Sequence, residues 1–152
     1  MPDIVEKAKR SEMMSGIRSK NTKPELIVRK ELFAKGLRYR LHLKNIPGKP
    51  DIIFKKYKAV IFIHGCFWHC HDCHLFKWPQ TRQDFWHNKI LSNKQRDINN
   101  RALLEKEGWR VAVVWECALK GKTKLDIPIL VKELEFWLHS SNQYIEIPNN
   151  IL

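Results

Sequence analysis

The chain has 152 residues, 43% of them apolar, and carries 28 Lys and Arg against 16 Asp and Glu, a formal charge of +12. That length suits one domain with a real core and no need of disulfides. No apolar run approaches the ~20 residues that span a bilayer, and the opening Met1-Pro-Asp-Ile-Val-Glu-Lys lacks the pattern of a signal peptide. The expectation is a cytoplasmic protein with reduced cysteines. The basic excess points to a polyanion, because every neutralised phosphate releases counterions and adds affinity.

Residues 1–20 are basic, with Met13, Met14 and Ile17 breaking the polar run, and read as an arm or a loosely held helix. Thr22-Lys-Pro-Glu25 then has the form of a helix start, with Thr22 as N-cap, Pro24 in the first turn and Glu25 completing a capping box. Leu26, Phe33 and Leu37 mark the expected buried stripe, and Gly36 suits the stop. Leu37 to Leu43 alternates as a strand does. Ile46-Pro-Gly-Lys-Pro-Asp51 is turn chemistry, and residues 51–54 and 59–63 are apolar runs joined by a Lys-Lys-Tyr-Lys turn, a hairpin pattern.

From Thr81 to about Glu107 the pattern is helical, with Phe85, Ile90, Leu91, Ile98, Leu103 and Leu104 as expected buried positions and Gly108 as the stop. Trp109 to Trp115 reads as a buried strand. A last helix covers about Asp126 to His139 and carries Leu130, Leu134, Trp137 and Leu138. The organisation expected is an arm (1–20), one α/β domain with a mixed sheet flanked by helices (21–140) and an irregular tail (141–152).

The chemistry is concentrated in Val60-Ile-Phe-Ile-His-Gly-Cys-Phe-Trp-His-Cys-His-Asp-Cys-His74, which holds four of the seven histidines and three of the four cysteines. Imidazole and thiolate bind zinc, and a structural site needs four of them in a tetrahedron. If the 59–63 and 109–115 strands are neighbours, their C-terminal ends bring Cys117 to this loop. Adjacent Cys70 and His71 are poorly placed to bind one ion together. Two ligand sets therefore stand: Cys66, His71, Cys73 and Cys117, or the same with Cys70 in place of His71.

Asp51 opens an apolar strand directly after Pro50. Hydrolysis of a phosphodiester calls for a divalent cation and a rigidly placed carboxylate to hold it. Mg²⁺ prefers oxygen ligands, and the backbone carbonyl of Ile63 is a second candidate beside Asp51. His64 and His69 lie close enough in sequence to act as acid or base. Glu25 has two readings, helix cap or site carboxylate.

Together, Pro-Gly-Lys-Pro-Asp51, Val60-Ile-Phe, His64-Gly-Cys-Phe-Trp-His69, Phe76-Lys, Phe85-Trp86, Gly108-Trp-Arg-Val and Val114-Trp-Glu-Cys-Ala-Leu119 resemble the motifs of the very short patch repair (Vsr) DNA mismatch endonucleases, in the family's order. The resemblance runs from about Arg10 to about Leu125. It implies a restriction-endonuclease-like fold and a Mg²⁺-dependent nick 5′ to the T of a T:G mismatch, the lesion left by deamination of 5-methylcytosine. It makes Asp51 the metal-binding carboxylate with the carbonyl of Ile63, His69 the base or proton-transfer group, and His64 and Glu25 supporting residues. It names Cys66, His71, Cys73 and Cys117 as a structural zinc set. It also implies that Phe67, Trp68 and Trp86 wedge into the duplex beside the mismatch, and that Met14 and Ile17 belong to an arm that reaches the minor groove.

Two departures stand out: Ile63 replaces a Thr common in the family, and Cys70 replaces a common His. The partner implied is double-stranded DNA with a T:G mismatch, read by a monomer, with repair-pathway proteins as further partners. Two alternative readings keep the same residues: a restriction-type endonuclease that cuts paired DNA, and a non-catalytic, zinc-stabilised DNA-binding module.

Overall fold

The computed structural model describes residues 22–148. The basic arm, with Met14 and Ile17, falls outside the described residues. The elements run α1 (Lys23–Ala34), β1 (Arg40–Leu41), β2 (Ile52–Phe54), β3 (Ala59–His64), α2 (Gln83–Lys106), β4 (Arg110–Trp115), α3 (Ile127–Leu138) and β5 (Tyr144–Ile147). They build one five-stranded sheet in the order β1-β2-β3-β4-β5. β1 and β2, and β2 and β3, pair antiparallel; β3 and β4, and β4 and β5, pair parallel. This is the mixed sheet flanked by helices that the sequence implies.

The central strands are apolar at nearly every position because both of their faces are covered. Ile61, Ala112 and Val114 join the side chains of α1 and α3 on one face, including Val28, Leu32, Leu134 and Trp137. Their neighbours Val60, Phe62, Val111, Val113 and Trp115 turn to the other face, where Leu104 of α2 packs. Alternation along each strand thus supplies two cores.

Three expectations need correction. α1 buries Glu25, Val28 and Leu32, while Leu26 and Phe33 are 45% and 54% exposed. The helix is rotated so that a carboxylate, not a leucine, faces inward. In α2 only Ile90 and Leu104 are buried; Phe85, Leu91, Ile98 and Leu103 are 45–55% exposed. This 24-residue helix rests on the sheet near its C-terminal end and turns a polar face to the groove described below. The tail is not irregular throughout, since Tyr144–Ile147 form β5, an edge strand beside β4.

Side-chain contacts across the fold explain that strand. The Trp115 indole N–H donates to Glu146 at 2.8 Å, and the Arg101 guanidinium lies 3.3 Å from the centre of the Tyr144 ring. Arg110 donates to the carbonyls of Trp137, Leu138, Tyr57 and Asn142 at 2.8–3.4 Å. It thereby satisfies carbonyls at the end of α3 that have no partner inside the helix. None of these contacts is local in sequence.

Candidate active site and metal centre

The hairpin of β2 and β3 sets the position of Asp51. The preceding turn uses left-handed backbone at Gly48 (φ 78°) and Lys49 (φ 50°). A Cβ on Gly48 would stand 3.0 Å from Asn100 of α2 and 3.1 Å from the Phe62 ring, so the turn is seated tightly under the helix. Asp51 donates its N–H to the carbonyl of Ile61, and its Oδ2 accepts the Ile63 N–H at 2.7 Å. In a strand the N–H and C=O of one residue leave on the same edge. The Ile63 carbonyl therefore faces the edge that Asp51 occupies.

Glu25 reaches the same place from α1. Thr22 does cap that helix, its hydroxyl accepting the Glu25 N–H at 3.4 Å. The Glu25 carboxylate, 1% exposed, instead meets Arg29 and His42, each at 2.9 Å. Glu25, His42 and Asp51 form one cluster whose ligand atoms all lie within 4.8 Å of one another. Burial pushes the Asp51 carboxyl up to about 7; the Ile63 N–H opposes that rise, and the neighbouring Glu25 adds to it. Two carboxyl groups crowded in a half-dry site suit a divalent cation, which would offset both charges.

Beside them, the end of β3 places His64 under His69. The two rings stack at 3.8 Å with 6° between planes. Burial holds His64 well below the usual imidazole range, with His69 and His71 reinforcing the effect. It stays neutral. His69 Nδ1 hydrogen-bonds Asp97 Oδ2, a residue of α2. In the neutral ring a carboxylate partner selects the tautomer with its proton on Nδ1, so that Nε2 is the nitrogen with the lone pair.

Asp51, Ile63, His64, His69 and Asp97 line one groove of about 1090 Å³, bordered by Lys23, Lys49, Lys89, Arg96 and Lys120. Such a rim suits a phosphate backbone. On the same side, Phe67, Trp68 and Trp86 come together, with ring centres 5.2–6.0 Å apart. Asn93 of α2 donates to the Trp68 carbonyl at 3.1 Å and ties that loop to the helix.

β3 and β4 are parallel neighbours in the register His64↔Trp115. Their ends accordingly bring Cys117 to the Cys66–Cys73 loop. Cys66, His71, Cys73 and Cys117 offer ligand atoms all within 4.8 Å of one another. His71 Nδ1 stands 3.5 Å from the sulfur of Cys66 and 3.5 Å from that of Cys117. Its ring stacks on Trp115 at 4.0 Å. Burial raises both the Cys66 and the Cys117 thiol, a cost that a bound cation removes by stabilising thiolate. The geometry thus favours the set with His71 over the set with Cys70. Cys70 takes a left-handed backbone (φ 55°) and lies outside the cluster.

The family model described as DNA mismatch endonuclease Vsr matches residues 2–75. The DNA mismatch endonuclease Vsr of Escherichia coli is 44% identical over 91% of this chain and 88% of its own length. The type II nicking enzyme V.NmeAIP of Neisseria meningitidis is 54% identical over 80% of this chain and 87% of its own. V.XorIIP, a type II nicking enzyme of Xanthomonas oryzae, is 49% identical over 83% of this chain and 93% of its own.

The chain belongs to the Vsr family of DNA mismatch endonucleases.

Within this Vsr-family fold the described residues expected from sequence fall into three clusters, Glu25 with Asp51, His64 with His69, and the Cys66, His71, Cys73 and Cys117 set, and one aromatic patch. Two residues escaped that reading. Asp97 is one polar position among many on α2, 28 positions from the histidine it holds. His42 sits between Leu41 and Leu43 and looks like part of an alternating strand; its left-handed backbone (φ 52°) ends β1 and aims the ring at Glu25. No local pattern marks either one.

Proposed function

We propose that this protein hydrolyses one DNA strand 5′ to the T of a T:G mismatch, with Mg²⁺ at Asp51 and a structural Zn²⁺ at Cys66, His71, Cys73 and Cys117. As a member of the Vsr family the protein is a strand-nicking DNA endonuclease. The observation that carries the finer reading is the convergence of Asp51, the stacked pair His64 and His69, and Asp97 on one basic-rimmed groove.

Asp51, held by the Ile63 N–H, and the Ile63 carbonyl would bind the cation, with Glu25 alongside. A cation there supplies Lewis-acid stabilisation of the charge that develops on the scissile phosphate. As His69 takes a proton of the attacking water at Nε2, the water oxygen bonds to phosphorus, the phosphorus–oxygen bond to the leaving strand breaks, and the leaving oxygen takes a proton from solvent. Asp97 holds His69 in the needed tautomer and stabilises the imidazolium that forms. His64, neutral and buried, supports the His69 ring from beneath. Phe67, Trp68 and Trp86 wedge into the duplex, where a mismatched step costs less to unstack than a paired one. Met14 and Ile17 of the arm complete the contact from the minor groove. We place the protein in the cytoplasm as a monomer, with repair proteins as further partners. Among the described residues, no helix is long and apolar enough to cross a membrane.

Asp97→Asn tests the proton-transfer pair. It should lower the nicking rate about a hundredfold, the scale of general acid–base catalysis, with mismatch affinity unchanged. An unchanged single-turnover rate would remove Asp97 from the mechanism.

The overall reading is tested with end-labelled duplexes bearing T:G or T:A at one position, with and without Mg²⁺. Nicking of only the T strand, only at T:G and only with Mg²⁺, is the expected result. Cutting of paired DNA would favour the restriction-type alternative. Binding with no cutting across sequence contexts would favour the non-catalytic module.

A further inference from the structure

We propose that Trp78 and His87 form a second DNA contact beside the wedge, a flat platform that receives the deoxyribose and phosphate of a nucleotide flanking the lesion. The inference rests on reading this face as the DNA-binding one. Trp78 lies in the loop before α2, and His87 lies on the helix's second turn. Their rings stack at 3.9 Å with 1° between planes. Trp78 nevertheless remains 37% exposed, and His87 is exposed as well. An exposed aromatic surface continuous with further rings, as this one is with Phe76, is the sort of feature that marks a contact.

Continuity and charge identify the partner. Trp78 meets Phe76 edge-on at 4.9 Å, and Phe76 meets Phe67 at 6.0 Å. The platform is therefore joined to the wedge cluster through one ring. Two such steps span at most about three base pairs at the ~3.4 Å rise of a duplex strand. Lys77 is adjacent to Trp78 in sequence, and Arg82 lies at 4.4 Å over the ring of Phe85, two positions before His87, with Asp84 as the acidic residue of the same turn. A deoxyribose offers apolar C–H groups to the indole face, and the imidazole offers an N–H to the phosphate, a contact that positions DNA without reading bases.

The test compares Trp78→Leu, His87→Leu and Trp78→Phe by fluorescence anisotropy on a labelled T:G duplex, with Ca²⁺ replacing Mg²⁺. The duplex is used whole, and trimmed on each side in turn to two base pairs beyond the lesion. Trp78→Leu should weaken binding to the whole duplex about tenfold, on the scale of one aromatic contact to a nucleotide. His87→Leu should cost about threefold, and Trp78→Phe should keep most of the affinity. The losses should vanish on the duplex trimmed on one side and persist on the other. Preference for T:G over T:A should be unchanged.

Equal affinity of all variants for the whole duplex would overturn the proposal, as would a loss that ignores trimming on both sides. If Trp78→Leu melts early, His87→Leu carries the same flank-dependent comparison, with Trp78→Phe as the control that keeps its affinity. Trp68→Ala, measured in parallel, separates this contact from the wedge. If it keeps full mismatch preference while Trp78→Leu shows the flank-dependent loss, the wedge assignment fails and the platform stands.

Discussion

Asp51→Asn should lower Mg²⁺-dependent nicking by about a thousandfold or more, the scale of losing a metal-binding carboxylate, while mismatch binding persists. The substitution keeps the shape of the side chain and an oxygen able to accept the Ile63 N–H, so the hairpin geometry should survive. It removes the charge that we propose holds the cation. The same variant has a second, independent readout. Burial pushes Asp51 up to about 7, so between pH ~4 and ~7 the folded chain binds a proton that the unfolded chain has released. Stability from this group is fully present below its ordinary carboxyl range. It declines as pH rises through that window and levels off above about 7.

Without added Mg²⁺, Asp51→Asn should therefore match the wild-type protein near pH 4. At pH 8 it should exceed it, by an amount on the order of 2 kcal/mol after allowing for partial solvent access. Denaturant unfolding at the two pH values measures this directly. The proton and the cation compete for one carboxylate, so apparent Mg²⁺ affinity of the wild-type protein should rise with pH and flatten near 7. A variant that nicks normally, or that loses binding and nicking in parallel, would move the metal site away from Asp51.

Cys117→Ser should remove most of the tightly bound metal and lower the melting temperature by roughly 10 °C, since ligand binding at a structural zinc site is folding energy. Cys117 follows β4, and its sulfur is 3.5 Å from His71 Nδ1, while its N–H donates to the Cys66 sulfur. The residue joins the end of β4 to the loop that follows β3, the loop that also carries His69, Phe67 and Trp68. Loss of the ion should consequently loosen both catalysis and DNA contact. Cys70→Ser is the matched control and should leave metal content and melting unchanged. Metal released by a thiol-reactive agent and measured with a chromogenic chelator gives the stoichiometry of each. Full metal in Cys117→Ser together with reduced metal in Cys70→Ser would return Cys70 to the ligand set.

Much of this architecture is legible along the chain. The hairpin of β2 and β3, the buried β4 and the last helix all follow from short-range patterns, because period and turn chemistry are local properties. Leu130, Leu134, Trp137 and Leu138 are buried as the helical spacing of α3 indicates. The dense run of His and Cys between His64 and Cys73 likewise announces a metal or proton-transfer centre, since those residue types are rarely gathered for packing alone. Where local pattern and outcome disagree, polar residues take the positions that face the groove. α1 turns Glu25 inward toward Asp51 and leaves Leu26 and Phe33 exposed. α2 gives up much of its apolar burial to present Lys89, Asn93, Arg96 and Asp97 to a groove.

The sequence by itself determined the class of fold, the hairpin that carries Asp51, and most of the residues able to bind metal, His42 and Asp97 excepted. The tertiary structure alone decided which of them meet. That His71 and not Cys70 stands with Cys66, Cys73 and Cys117 goes with the left-handed backbone at Cys70 and the Trp115 ring stacked on His71. Asp97 reaches His69, and His42 reaches Glu25, only after helices and sheet have packed. β5 joins the sheet because Trp115 and Arg101 reach it from other elements. Each of these pairings spans 17 or more positions in sequence, and contacts at that separation leave no periodic trace for a local pattern to show.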